Sequence, residues 1–241
     1  MDFIRRIPVI VAAGKGCRMG GAIKKQYLVI DRIPVLTRTL MVFDRHHLLD
    51  DIILVVPEED QTYCRKKIVQ PYAFSQKIHV VAGEKTRQQS VLNGLNKAEQ
   101  ITDAPDSTLV LIHDGVRPFV SPDLINRLMA VAFQQGGCIP VLAVNDTLKL
   151  VAQNQQVQKT LDRDQIYRAQ TPQVFRLDLI LKAFAYAKIT NFTGTDDASV
   201  MEHADFSVYT TPGEAANIKL TTPDDLILAR SFKKKVQQVL K

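Results

Sequence analysis

The 241-residue sequence has no tryptophan, only three cysteines, 7% aromatic residues and a modest formal net charge of +6. The cysteines, Cys17, Cys64 and Cys138, are odd in number and widely spaced, which excludes a disulfide framework and a Cys-x-x-Cys zinc pair. The scarcity of aromatic residues argues against a module that stacks nucleic-acid bases. The hydrophobic content of 46% excludes a disordered chain. The cysteine usage predicts a reducing, cytoplasmic location.

Long apolar runs are also absent. Runs such as Ile52–Val56 and Ile139–Val144 fall far short of the ~18 residues that a membrane-spanning helix needs. The run Ile7–Ala13 follows Arg5 and Arg6, so it resembles the start of a secretory signal. It has only the minimum length for such a signal and contains a proline, and cations follow it at once. We therefore interpret it as a first buried strand and expect no membrane partner.

Short apolar runs alternate with helix-like segments through the first 144 residues. Nearly continuous apolarity is typical of strands that are covered on both faces of a parallel sheet. The predicted strands and the helices between them are Ile7–Val11, Asp51–Val56, Ile78–Ala82, Thr108–His113 and Cys138–Val144, with Val35–Phe43, Glu58–Val69, Ser90–Lys97 and Ser121–Gln135. The alternation predicts an α/β fold with a doubly wound, mostly parallel sheet.

The pattern changes after this point. Strand-like runs over Thr147–Val151 and Val157–Leu161 flank a polar turn, which predicts a β-hairpin that projects from the sheet. The remaining predicted elements are helices over Leu177–Ala187 and Asp196–Ala204 (started by Thr195), strands over Val208–Thr211 and Ile218–Thr221, and a helix from Thr222. Because neither a repeat nor a linker interrupts the chain, we predict a single domain over residues 1–241.

The loop after the first predicted strand combines glycines with cations. It reads Ala-Ala-Gly-Lys-Gly-Cys-Arg-Met-Gly from Ala12 to Gly20, and Lys24 and Lys25 follow. Glycines let backbone N–H groups approach an anion, and ligands of open α/β sheets bind at the carboxyl ends of strands. Met19 replaces the third glycine of the dinucleotide fingerprint, which argues against a dehydrogenase, and the P-loop spacing is absent. No acid lies between Phe3 and Ile30, so we expect Lys15, Arg18, Lys24 and Lys25 to be unpaired, and unpaired cations favour a polyphosphate ligand.

Most of the net charge lies in this part of the sequence. Residues 1–30 hold six Lys or Arg and one Asp, so they contribute +5 of the net +6. This concentration predicts a local anionic ligand instead of a general basic surface. A basic nucleic-acid-binding protein is an alternative of another class, but it would need aromatic residues among the cations or a basic reading helix.

Further polar motifs follow later strands. In His113-Asp114-Gly115-Val116-Arg117-Pro118, the aspartate can face a phosphate-bound Mg²⁺, since it ends a strand and Mg²⁺ prefers oxygen ligands. His113 is interpreted as a packed, hydrogen-bonded residue and not as a base, while Arg117 is suited either to bind phosphate or to pair with Asp114. The other motifs are Asp146-Thr147, Asp162-Arg163-Asp164, Thr171-Pro172-Gln173, Thr195-Asp196-Asp197 and Asn217-Ile218-Lys219.

Taken in order, these motifs closely resemble those of the 2-C-methyl-D-erythritol 4-phosphate cytidylyltransferase family, and the resemblance covers about residues 7–230. The quoted motifs are Ala-Ala-Gly-x-Gly-x-Arg-Met, Lys-Gln-Tyr, His-Asp-x-x-Arg-Pro, Asp-Thr-x-Lys, Asp-Arg, Thr-Pro-Gln, Thr-Asp-Asp-Ala-Ser and Asn-Ile-Lys-x-Thr-x-Pro-Asp-Asp-Leu. The resemblance implies that CTP and methylerythritol phosphate react to 4-diphosphocytidyl-2-C-methyl-D-erythritol and pyrophosphate in the non-mevalonate isoprenoid pathway. A ribitol 5-phosphate cytidylyltransferase is the nearest alternative, and the sugar-side motifs favour the first.

The family also implies a Rossmann-like nucleotidyltransferase fold, Mg²⁺ or another divalent cation, and a homodimer. A β-arm at about residues 144–166 would clasp the partner and reach its active site. The implied catalytic residues are Arg18, Lys25, Arg163 and Lys219. The implied nucleotide-binding residues are Ala12, Ala13, Gly14, Gly16, Gly83, Arg87, Ser90 and Asp114, the last also near the metal. The implied sugar-phosphate residues are Arg117, Thr147, Arg163, Thr171, Thr195 and Lys219.

Overall fold

A computed structural model describes residues 5–14 and 24–231. The strands are β1 (Arg5–Val11), β2 (Val29–Ile30), β3 (Ile33–Pro34), β4 (Ile52–Val56), β5 (Ile78–Ala82), β6 (Thr108–Asp114), β7 (Gly137–Ala143), β8 (Leu148–Val151), β9 (Val157–Leu161), β10 (Tyr167–Ala169), β11 (Gln173–Arg176) and β12 (Tyr209–Pro212). The α-helices are α1 (Val35–Asp44), α2 (Gln61–Tyr63), α3 (Arg87–Gln100), α4 (Pro122–Gln135), α5 (Leu177–Ile189), α6 (Asp197–His203) and α7 (Pro223–Ser231).

Eight strands form the main sheet in the order β10-β7-β11-β6-β1-β4-β5, and β12 also pairs with β7. The pairs β1–β4, β1–β6, β4–β5 and β7–β12 are parallel. The two short strands β10 and β11 run antiparallel to their neighbours. The sheet is therefore mostly parallel with helices on both sides, and the predicted α/β fold with a mostly parallel sheet is confirmed.

The first strand lies in the middle of the sheet because its side chains are apolar on both faces. Val9 of β1 is paired with Ile53 of β4 and Ile112 of β6, and all three are fully buried. Helix α3 packs closely on this strand: a Cβ on Gly94 would lie only 2.5 Å from Cγ1 of Val9. The N-terminal apolar run is therefore a central strand, as predicted.

Capping signals located some helix ends correctly and missed others. Helix α4 begins with the Ser121 side chain accepting a hydrogen bond from Leu124 N–H, and it ends at Gly136, whose φ is +84°. Helix α3 begins three residues before the predicted Ser90, because Thr86 caps it. The predicted helix Glu58–Val69 consists of a 3₁₀ turn (Glu58–Asp60), α2 and a π-helical turn (Cys64–Val69).

In the second half of the chain, more of the predicted elements differ from the structure. The hairpin β8–β9 is present inside the predicted arm segment 144–166. The predicted strand Ile218–Thr221 is wrong: this segment is irregular, and its apolar side chains pack against a small core that includes Ile30 and Val116. Asp196, and not Thr195, caps α6, since its carboxylate accepts the Ser199 N–H.

In the part of the chain that the structure describes, no helix combines the length and the apolar character required to cross a membrane.

Candidate active site

A cavity of about 330 Å³ opens where β1, β5 and β6 end, at the carboxyl edge of the sheet. The same edge brings together residues that lie more than 200 positions apart in the sequence. The lining residues are Val11, Ala12, Ala13, Gly14, Lys25, Gln26, Glu84, Lys85, Thr86, Arg87, Ser90, Asp114, Val116 and Lys219.

One wall of the cavity consists of small residues that pack tightly. A Cβ on Gly83 would lie 2.3 Å from the Cβ of Ala13 and 3.1 Å from Oγ of Ser90, so this position requires glycine. The Ser90 hydroxyl accepts the Glu84 N–H at 2.9 Å and donates to the Thr86 carbonyl at 2.9 Å. These contacts fix the turn between β5 and α3.

Gln26 holds the beginning of the glycine loop, a role that the sequence analysis missed. Its buried amide donates to the carbonyl of Ala12 at 3.0 Å and to that of Gly14 at 3.2 Å. The neighbouring Lys25 lines the cavity. Lys24 instead pairs with Asp60 at 2.7 Å and Glu59 at 3.0 Å. The expectation that Lys24 is an unpaired loop cation is therefore wrong.

Only some of the cations near the N-terminus lie at the cavity. Arg5 and Arg6 begin β1, about 20 Å of strand away from its carboxyl end, and Arg5 pairs with Asp51 at 3.6 Å. Lys15, Gly16, Cys17 and Arg18 lie outside the described residues. Of the cations counted between residues 1 and 30 that the structure describes, Lys25 is the one that lines the cavity.

Asp114 is the point at which three cations meet. Its Oδ2 lies 3.0 Å from Nζ of Lys219 and 3.2 Å from Nε of Arg117, and its Oδ1 lies 3.7 Å from Nε of Arg87. Burial raises the pKa of Asp114, but Lys219, Arg87 and Arg117 outweigh it and hold the pKa well below its usual range. The carboxylate is therefore ionised, and its surroundings carry an excess of positive charge.

Arg87 is shared between two carboxylates. Its guanidinium donates to both oxygens of the buried Asp197, at 2.9 and 2.7 Å, while Nε faces Asp114. Burial lowers the pKa of Arg87, but the carboxylates of Asp197 and Asp114 raise it by a larger amount. The pKa therefore lies above its usual value, and the guanidinium stays charged. Asp197 is itself placed by Gln173, whose Oε1 accepts the N–H groups of Asp197 and Ala198 at 3.0 Å. The sequence analysis named Arg87 as a nucleotide-binding residue and Asp197 as part of a polar motif, but it gave no indication of this pairing.

Lys219 reaches Asp114 because the irregular segment before it is fixed by side chains. The Asn217 carbonyl accepts from Arg117 Nη1 at 2.8 Å and from Gln170 Nε2 at 3.2 Å. The Asn217 amide donates to the Thr171 carbonyl at 2.7 Å. Arg117 is buried and contacts Asp114, and it does not line the cavity. Of the two roles considered for Arg117, phosphate binding and pairing with Asp114, the structure therefore shows the pairing.

Thr171 lies beside Asp114, and its hydroxyl contacts two protein groups. Only 5% of the residue is exposed; its Oγ1 accepts the Asp114 N–H at 3.1 Å and lies 3.0 Å from Nδ1 of His113. His113 is fully buried, and burial lowers its pKa to about 4. The interpretation of His113 as a packed, hydrogen-bonded residue is confirmed.

Three residues predicted on the sugar-phosphate side lie on exposed parts of the chain. Thr147 and Arg163 flank the hairpin, and the Arg163 guanidinium donates to the Asn145 carbonyl. Thr195 is exposed just before α6. None of the three is among the cavity-lining residues of this chain.

The site has few ligands of its own for a divalent cation. Within residues 5–14 and 24–231, no cluster of three or more His, Cys, Asp or Glu side chains is arranged to hold a metal. Asp114 supplies one ionised carboxylate, surrounded by cations. Mg²⁺ is usually held by one or two carboxylates together with substrate phosphates and water. The residues present therefore fit a Mg²⁺ that arrives with a polyphosphate.

Comparisons with known proteins agree over nearly the whole chain. The family model described as 2-C-methyl-D-erythritol 4-phosphate cytidylyltransferase matches residues 7–235. A protein of that name from Geobacter metallireducens is 42% identical over 224 residues, which are 93% of this chain and 95% of the relative. Another from Syntrophotalea carbinolica is 44% identical over 93% of this chain and 94% of the relative.

A solved structure agrees with these sequence matches. The crystal structure of 4-diphosphocytidyl-2C-methyl-D-erythritol synthase from Anaerococcus prevotii superposes with a TM-score of 0.81 at 32% identity, covering 95% of this chain and 96% of that one.

Proposed function

Because the chain belongs to the 2-C-methyl-D-erythritol 4-phosphate cytidylyltransferase family, we propose that the cavity at the ends of β1, β5 and β6 is its active site. The enzyme joins CTP and 2-C-methyl-D-erythritol 4-phosphate to give 4-diphosphocytidyl-2-C-methyl-D-erythritol and pyrophosphate. The family match favours this reaction over ribitol 5-phosphate as substrate, over a dehydrogenase and over nucleic-acid binding.

The observation that supports the site is the balance of charge around Asp114. Lys219, Arg117 and Arg87 all face this carboxylate, Arg87 is also paired with Asp197, and Lys25 lines the same cavity. A triphosphate and a sugar phosphate bring several negative charges, which this surplus of cations can bind in a partly buried setting. Ala13 and Ser90 line the cavity with small side chains, and Gly83 packs against both of them, so this side of the cavity has room for a nucleobase.

The chemistry requires positioning and charge stabilisation more than proton transfer. A phosphate oxygen of the sugar phosphate attacks the α-phosphorus of CTP, the bond from that phosphorus to the bridging oxygen breaks, and pyrophosphate leaves with the electron pair. The nucleophile is already anionic near pH 7, so no general base is needed. Lys25 and Arg18 are proposed to stabilise the charge that develops on the α-phosphate. Lys219 and Arg163 are proposed to orient the attacking phosphate.

Mg²⁺ is the proposed cofactor, and Asp114 is the residue that would hold it. When bound, the ion would neutralise charge on the phosphate oxygens and stabilise the leaving pyrophosphate. Lys219 is the most exposed of the three cations around Asp114, at 39% of its side chain, so it is the partner that a ligand can draw away.

The hairpin is proposed to serve the neighbouring subunit in a homodimer. Leu150, Val151 and Val157 are exposed apolar side chains on it. Such a group on a projecting arm is typical of a surface that is covered by a partner. Thr147 and Arg163 at the base of the hairpin do not line this chain's cavity, which is consistent with their serving the partner's cavity.

A cytoplasmic location is the companion proposal, supported by the cysteines at positions 64 and 138, which are buried free thiols.

The decisive test is pyrophosphate release by the purified protein with CTP, Mg²⁺ and methylerythritol phosphate. Parallel reactions replace the sugar phosphate with ribitol 5-phosphate, or CTP with ATP. Rapid release only with the cognate pair is expected. Equal or faster release with ribitol 5-phosphate would contradict the proposal, and chelation of divalent cations should abolish the reaction.

A further inference from the structure

His113 lies at the centre of a hydrogen-bond chain in which each donor has one acceptor. Nε2 lies 3.0 Å from the Arg117 carbonyl oxygen, which can only accept, so the proton of the neutral ring is on Nε2. Nδ1 is then an acceptor and takes the Thr171 hydroxyl proton at 3.0 Å. The Thr171 oxygen in turn accepts the Asp114 N–H at 3.1 Å.

The chain therefore runs in one direction, from Asp114 N–H through Thr171 and the His113 ring to the Arg117 carbonyl. It connects three segments: the end of β6, the turn that follows it and the loop before β11. Asp114 and Arg117 are also joined directly through their side chains at 3.2 Å. A protonated ring would present a donor to Thr171 at Nδ1, and the hydroxyl would lose its acceptor, so the arrangement requires the neutral form.

The surroundings of the ring hold it in place. His113 is fully buried, and its ring lies against Phe43 with centroids 5.0 Å apart. It does not line the cavity, so it touches neither substrate. Its effect on the reaction must pass through Asp114, whose carboxylate faces Lys219 and Arg87.

We propose that His113 is a positioning residue for the cytidylyl transfer, which fixes the direction of the Asp114 carboxylate and of the cations around it through its hydrogen bonds to Thr171 and Arg117. This inference rests on the proposed active site. It assigns His113 no proton transfer to substrate.

Two substitutions separate the two hydrogen bonds of the ring. His113→Asn keeps an acceptor near the Nδ1 position and loses the donor to Arg117, whereas His113→Gln keeps a donor near the Nε2 position and loses the acceptor for Thr171. We expect each to lower kcat about tenfold or more, with the KM for CTP within about threefold. A double variant that combines His113→Gln with Thr171→Val should be no slower than the slower of these two single variants, because both substitutions remove the bond between Thr171 and the ring.

A buried histidine elsewhere provides the matched control. His46 is also buried, and it does not line the cavity. His46→Gln should change the unfolding temperature while kcat stays within about twofold of wild type. Wild-type kcat in folded His113→Gln would overturn the proposal. An ionisation between pH 5 and 8 in the wild-type kcat profile that disappears in His113→Asn would also overturn it, in favour of acid–base catalysis.

A spectroscopic measurement decides the matter if the His113 variants do not fold. Nitrogen NMR of ¹⁵N-histidine-labelled enzyme at pH 7 should give one ring signal, among five histidines, whose Nδ1 resonance shifts in Thr171→Val because the hydroxyl donor is lost. A spectrum in which no ring signal moves in Thr171→Val would overturn the proposal. If wild-type enzyme releases no pyrophosphate from CTP and methylerythritol phosphate, the active-site assignment fails instead, while the NMR result still tests the hydrogen-bond chain.

Discussion

Nζ of Lys219 lies 3.0 Å from Oδ2 of Asp114, although the two residues are 105 positions apart in sequence. The carboxylate is buried with 10% of its side chain exposed, whereas the lysine side chain is 39% exposed. Arg117 contacts the same oxygen from a buried position. Arg117 is therefore fixed beside Asp114, whereas Lys219 is accessible enough for a phosphate to draw it away from the carboxylate.

This difference predicts a specific defect for Lys219→Met, which keeps an unbranched stem but removes the charge. We expect kcat/KM for the sugar phosphate to fall about a hundredfold, because a charge that is aimed at phosphate is lost from a partly buried site. Lys219→Arg should recover part of the activity. Steady-state kinetics with each substrate varied in turn measures the effect, and a change of less than threefold would remove Lys219 from the active site.

The low pKa of Asp114 predicts how stability depends on pH. Because the folded pKa is held below that of the unfolded chain, about 3.9, the stabilisation is fully present above pH ~5 and is lost as the pH falls toward the folded pKa. We expect Asp114→Asn to be less stable than wild type at pH 7, since Lys219 and Arg117 lose their ionised partner and Arg87 loses one of its two. The difference in stability between the two proteins should narrow steadily as the pH falls from 5 to 3.

Urea unfolding at pH 7, 5, 4 and 3 measures this dependence. Asp103→Asn, at an exposed aspartate, is the control and should follow the wild-type curve. A constant difference between wild type and Asp114→Asn across this range would show that Asp114 is not the group responsible.

Adjacent lysines provide a third test. Lys25 lines the cavity, whereas Lys24 pairs with Asp60 and Glu59. Lys25→Ala should lower kcat about 10²- to 10³-fold with a small effect on CTP affinity, because charge stabilisation acts mainly in the transition state. Lys24→Ala should change kcat less than threefold, since such ion pairs contribute little. The sequence predicts the Lys25 pattern for Arg18→Ala as well. Equal losses in the two lysine variants would contradict the assignment.

The parts of the fold that were predictable follow from local signals. The strand over Ile7–Val11 was evident from its apolar run, and α4 from the cap at Ser121 and the glycine at its end. The strand β11 was not predicted, because four residues that pair antiparallel with both β6 and β7 have no turn chemistry to mark them. Ile218–Thr221 has the alternation of a strand, but hydrogen bonds to Asn217 and its neighbours replace sheet pairing there.

The candidate active site was also predictable only in part. The carboxyl ends of parallel strands meet at one edge, so Gly14, Gly83 and Asp114 could be expected together from their positions after strands. The contact partner of each side chain depends on tertiary packing, and the spacing of residues in the sequence does not reveal it. The pairing of Arg87 with Asp197 and the bond from Thr171 to His113, 58 residues apart, were therefore beyond the sequence.

The proposed homodimer makes a last prediction, because it assigns Lys25 and Arg163 of one active site to different subunits. Lys25→Ala and Arg163→Ala homodimers should each be nearly inactive with methylerythritol phosphate. A heterodimer of the two has one cavity with intact Lys25 that receives the intact Arg163 of its partner. Co-refolding or co-expression at equal amounts should thus restore activity to about a quarter of wild type, since half of the dimers are mixed and half of their sites are intact.

The control for this experiment is a mixture of the two purified proteins that is assayed before subunits exchange, which should remain inactive. A second control combines Lys25→Ala with Lys219→Met, because both substitutions lie in the same cavity and no arrangement of arms restores an intact site. Light scattering should give the mass of a dimer for each preparation. If the Lys25→Ala and Arg163→Ala pair gains no activity although mixed dimers are present, Arg163 acts within its own subunit, and the arm has no catalytic role in the partner.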